Sequence, residues 1–141
     1  MDELMNQLVW IHPKITDPQN KQGNFGRIMM IQPERNQTVV SFENGHIGKY
    51  QLDTLFLLKP SILLLEHIYG KKLANWNDHR SILDIYYLAQ TGKTESIEMA
   101  IEMATRNMVI ADTALVSVRE WLELQLARIM DRHTPAVARG R

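Results

Sequence analysis

Short apolar runs separated by Gly, Pro and Asn fill the first 59 positions, whereas from Ser61 onward apolar residues recur every three to four positions. The first run, Leu8-Val9-Trp10-Ile11-His12, is stopped by Pro13. A polar loop over 14–24 holds Asp17-Pro18 and Gly23, and a second run, Arg27-Ile28-Met29-Met30-Ile31, ends before Pro33. Thr38-Val39-Val40-Ser41-Phe42 leads into Glu43-Asn44-Gly45-His46. Asn-Gly tolerates the positive φ that a type I′ turn demands, so residues 38–42 are expected to pair with 47–51 in a hairpin. Asp53-Thr54-Leu55 reads as one helical turn capped by Asp53, and Phe56-Leu57-Leu58 as a closing strand before Pro60.

The second half follows the helical period. Residues 61–69 form a short apolar helix with Gly70 as its left-handed cap, and a polar connector over 71–77 carries Trp76. Asp78 or Ser81 caps the next helix, which presents Ile82, Ile85, Tyr86 and Ala89 and ends at Thr91-Gly92. Thr94 caps a third, with Ile97, Ile101, Ala104 and Met108 on one stripe. Ala111, Leu115, Val118, Leu122, Leu126 and Ile129 then mark one long helix over about 108–132 that can run on unbroken from the third. Trp121 lies beside this stripe, where it either widens the buried face or projects to a partner.

These patterns predict an α+β protein with three parts: a five-stranded small barrel over 1–59, a region of three to four helices over 60–135, and a disordered tail over 136–141. Gly26-x-Ile28, Val39-Val40-Ser41-Phe42, Asn44-Gly45, Gly48-x-Tyr50 and Asp53-x-x-Phe56 together resemble the SH3-like small barrels, the broad group of KOW and Tudor-type architecture, over residues 8–58. The resemblance implies a glycine opening the second strand, a hairpin joining the third and fourth, and a helical turn before the last. Such barrels bind peptides, modified side chains or nucleic acid, or hold other domains together, so it implies binding and names no ligand. The helical half resembles no family.

Charge and composition narrow the functional classes. Sixteen basic and sixteen acidic residues cancel, with six of each sign in 1–60 and ten of each in 61–141, so neither half has the electrostatics of a polyanion binder. The chain has no cysteine, which excludes disulfides, thiolate catalysis and cysteine-ligated metal. Its start, Met1-Asp2-Glu3-Leu4, lacks the pattern of a secretory signal, and no apolar run approaches the length of a membrane span. A cytoplasmic location without membrane contact is expected.

Catalytic and metal patterns are missing from the sequence. His12, His46, His67, His79 and His133 never fall three or four residues apart on a shared helix. Glu95, Glu98 and Glu102 line one side of the third helix but lack the Glu-x-x-His partners of a carboxylate-bridged metal site, so they read as a solvated acidic face. Gly92-Lys93-Thr94 lacks the upstream glycine of a phosphate-binding loop, and no Gly-x-Ser-x-Gly occurs. The expectation is therefore a non-enzymatic protein without cofactor or metal, acting as a protein-interaction or scaffolding module. Its partner would be another protein, or a second copy through the helices. The alternative is a nucleic-acid-associated regulator using the barrel, for which Lys14, Lys21, Arg27, Arg35 and Lys49 would have to cluster. Ligand contact is expected at the barrel's loop end through Phe25, His46 and Tyr50, the competing reading being that Phe25 and Tyr50 plug that end.

Overall fold

The computed structural model describes residues 4–14, 21, 23–70 and 76–127. Each apolar run of the first half becomes a strand: β1 (Leu8–Ile11), β2 (Phe25–Gln32), β3 (Gln37–Ser41), β4 (Ile47–Tyr50) and β5 (Leu55–Leu58). Helices α1 (Ser61–Gly70), α2 (Trp76–Gln90), α3 (Thr94–Ala104) and α4 (Met108–Ala114) follow, then a sixth strand, β6 (Leu115–Ser117), and a helix over 118–127, α5. The strands form one antiparallel sheet in the spatial order β4-β3-β2-β1-β5-β6. The result is a mixed α+β architecture.

Alternation along the strands builds a core on each face. Val9 and Ile11 of β1, Ile28 of β2, Val40 of β3, Tyr50 of β4, Leu55 and Leu57 of β5 and Val116 of β6 form one buried cluster, which α5 joins through Val118 and Trp121. Leu8 and Leu115 face the other way, against Leu64 of α1, Ile82 and Ile85 of α2, Ala100, Ile101 and Ala104 of α3 and Ile110 of α4. Trp10, Phe25 and Leu58 pack onto that second cluster. The β1–β5–β6 end of the sheet is thus apolar on both faces, as its nearly continuous hydrophobic runs require.

Two differences from the sequence reading concern the first half. The five expected strands form, but the sheet is open among the described residues and gains β6 at the β5 edge, so it does not close on itself as a five-stranded barrel would. The hairpin turns where expected but in another form. Gly45 has φ +87° while Asn44 keeps a negative φ, and the Gly45 amide donates to the Phe42 carbonyl at 2.9 Å. The Phe42 amide in turn donates to the His46 carbonyl at 2.9 Å, giving a type I turn followed by a glycine bulge instead of type I′. The Asn44 side chain supports the turn, its Oδ1 accepting from the His46 amide at 3.1 Å.

The larger correction is in the second half, where the expected continuous helix over about 108–132 is broken twice. Asn107 caps α4, its Oδ1 accepting from the Ile110 amide at 2.9 Å, which ends any continuity with α3. After α4 the chain extends and pairs with β5 in the register Phe56↔Ser117, Leu57↔Val116 and Leu58↔Leu115. Ser117 and Glu120 then form a capping box: the Glu120 amide donates to Ser117 Oγ and the Ser117 amide to Glu120 Oε1, both at 3.1 Å. That cap starts α5. Trp76 belongs to α2, not to the connector before it, and the connector's residues 71–75, like Ile129 and the tail over 136–141, lie outside the described residues.

One side chain stitches three elements together. Asn36, in the left-handed conformation (φ 51°, ψ 46°), follows the short 3₁₀ turn Pro33–Arg35 between β2 and β3. Its Oδ1 accepts from the Leu52 amide at 3.2 Å and from Arg119 Nη2 of α5 at 2.6 Å.

Candidate functional site

The first residues of β2 are set by close packing. Gly26 is buried opposite Val9, and a Cβ there would overlap Val40 Cγ1 and lie 3.0 Å from the Ser41 carbonyl oxygen and 3.2 Å from the Phe42 ring. Glycine therefore allows the end of β3 and the ring of Phe42 to close on β2. Arg27, the next residue, reaches outward: Nη1 donates to the Asn6 carbonyl at 2.8 Å and Nη2 to Thr94 Oγ1, the first residue of α3, at 2.5 Å. One guanidinium thus ties the chain before β1 and the sheet to α3.

Between these parts runs a groove of about 780 Å³. Phe25, Gly26 and Arg27 of β2, Phe42, Glu43 and Asn44 of the hairpin, and Thr94, Glu95 and Glu98 of α3 line it. Lys21 enters from the polar loop with its Nζ 5.4 Å from the centre of the Phe42 ring, within cation–π range. The carboxylates of Glu43, Glu95 and Glu98 make no hydrogen bond or ion pair among the described residues. The size is that of a ligand-binding cleft. A second, shallower depression of about 480 Å³ lies between α2 and α3, beside Tyr87, Leu88 and Met103.

The three residues expected at the loop end are not brought together. Phe25 is half-buried, pairs with Trp10 and lines the groove on the helical side of the sheet. Tyr50 is 7% exposed, in the opposite core, edge-on to Phe42 with ring centres 6.2 Å apart. His46 is exposed at the hairpin tip, its ring nitrogen 3.2 Å from Asn44 Nδ2. Of the five cations a polyanion site would need, Lys21 and Arg27 line the groove, beside three carboxylates.

The glutamates of α3 hold a position that the sequence reading missed. An acidic helix face is commonly solvated, and only the packing of α3 on the sheet turns Glu95 and Glu98 into a groove wall with the hairpin's Glu43. Among the described residues no three His, Asp or Glu side chains group closely enough to hold one metal ion. No helix among them is long and apolar enough to cross a membrane. The open trough is lined by the half-buried Phe25, the largely buried Phe42, a fixed guanidinium, an ammonium, hydroxyls and three carboxylates. Comparison of the chain with family models, with curated proteins and with solved structures returned no match.

Proposed function

We propose that this chain is a protein-interaction module and that it takes an extended segment of a partner protein in the groove between the hairpin and α3. The observation that supports the reading is the groove itself. It is open, sized for several residues, and built jointly from the sheet and the helices, with Phe25 and Phe42 as its apolar contacts. The likeness of residues 8–58 to SH3-like small barrels belongs to the same proposal, since peptides are among the ligands such barrels bind, and so does a cytoplasmic location.

The test plugs the groove without changing its charge. Asn24 is exposed and lines the groove, so Asn24→Trp fills it from the rim. Tyr87→Ala, in the α2–α3 depression, is the control. In capture experiments from the native host, partners held by the wild-type chain should drop about tenfold with Asn24→Trp and persist with Tyr87→Ala. Both variants should melt close to the wild type. Equal capture by Asn24→Trp would place the binding surface elsewhere.

A further inference from the structure

The groove already holds a cation of its own chain. The backbone of Lys21 is anchored: the Asn24 amide donates to the Lys21 carbonyl at 3.0 Å, and Gly23, with φ +77°, donates its amide to the Ile11 carbonyl of β1 at 2.9 Å. From that anchored backbone the flexible side chain carries its ammonium to 5.4 Å from the centre of the Phe42 ring. Around it the charges do not balance. Among the described residues Glu43, Glu95 and Glu98 give three negative charges against two positive ones, Lys21 and Arg27, and Arg27 spends its hydrogen bonds on a carbonyl and a hydroxyl.

We infer that the groove selects a partner segment bearing a lysine or arginine, whose cation displaces Lys21 from the Phe42 ring. The inference rests on the proposed function and specifies the chemistry of its partner. A neutral segment laid over this groove would desolvate three carboxylates that have only Lys21 and Arg27 beside them among the described residues, and a phosphorylated or otherwise anionic one would add like charge to them. A cationic side chain reverses both effects, meeting the ring face and the carboxylates together. Lys21 then acts as an internal competitor that raises the threshold for binding and is released to the groove rim when a partner cation enters.

Fluorescence anisotropy with labelled decapeptide pools tests this directly, each pool having neutral mixed flanks and one fixed central residue: lysine, arginine, norleucine or glutamate. The lysine and arginine pools should bind the wild-type chain about tenfold more tightly than norleucine, the gap closing as salt is raised from about 50 to about 500 mM. Glu95→Gln with Glu98→Gln should erase the gap with the melting temperature kept. Lys21→Met, which retains the apolar stem, should tighten the lysine pool about threefold or more. Equal binding of the norleucine and lysine pools, abolished by Asn24→Trp, would overturn cation selection while leaving the groove as the binding surface. Unchanged or weaker binding by Lys21→Met would overturn the displacement. Absence of binding by every pool while Asn24→Trp still blocks partner capture would also defeat the inference alone. Only the same absence together with partner capture indifferent to Asn24→Trp removes the proposed function with it.

Discussion

Replacing Trp121 by alanine should destabilise the whole chain, although the residue lies far along the sequence from the sheet it covers. Trp121 is 6% exposed and sits in the same cluster as Val9, Ile28, Val40 and Leu57, so truncation opens a cavity at the heart of the sheet's inner face. Large aromatic-to-alanine changes in cores cost about 3–5 kcal/mol. For a chain of 141 residues the unfolding entropy is about 0.3 kcal/mol per degree, so the melting temperature should fall by about 10–17 °C. Leu126, on the same helix but 58% exposed, is the control, and Leu126→Ala should move the midpoint by no more than about 2 °C. Differential scanning calorimetry gives both values, and the calorimetric and van't Hoff enthalpies of the wild type show whether one transition is being measured. A Trp121→Ala midpoint within about 3 °C of wild type would refute the argument that α5 completes this core.

Two further substitutions test local claims. Asn36→Gly keeps the left-handed backbone and removes the bonds to Leu52 and Arg119, which should cost about 1–2 kcal/mol in urea denaturation, whereas Asn36→Ala adds about 1 kcal/mol of backbone strain; identical midpoints for the two would show that the conformation is not under strain. Gly45→Val meets no atom within 4 Å of its new Cβ, so its expected cost of about 1–3 kcal/mol is purely that of φ +87°, and Gly45→Asn should recover part of it in the same assay.

The hairpin, the five strands and the first three helices were legible because their signals are local: Pro and Gly stops, an Asn-Gly turn, a change of period at Ser61. Tyr50 was legible too, had the alternation Ile47 out, Gly48 in, Lys49 out been carried one residue further. The end of the chain misled because Leu115, Val118 and Leu122 fit a helical stripe, and a regular stripe outweighs single residues. Asn107 and the pair Ser117-x-x-Glu120 did carry the start signals of two separate helices. That residues 115–117 are a strand has no comparable local sign, since its hydrogen-bonding partner is the free edge of β5. The groove was half visible: Phe25 reached it, but nothing along the chain brings Glu95 and Glu98 opposite the hairpin. Their approach follows from the packing of Ala100, Ile101 and Ala104 against Leu8 of the sheet, and Arg27 meets Thr94, 67 positions away, at its edge.

The late arrival of β6 has a consequence for how the protein is made. Leu58 pairs with Leu115, so 57 residues must be synthesised after the fifth strand before its second neighbour exists. At about 5–20 residues per second, translation holds that edge open for about 3–11 s. Throughout that interval the nascent sheet offers Leu55 to Leu58 as an unpaired, apolar border, with the tryptophan that will roof its inner face still inside the ribosome or unmade. A chain arrested in this window is a candidate for edge-to-edge association with its neighbours on the same polysome. The ribosome-bound intermediate, more than the finished molecule, is where this fold exposes an apolar sheet edge.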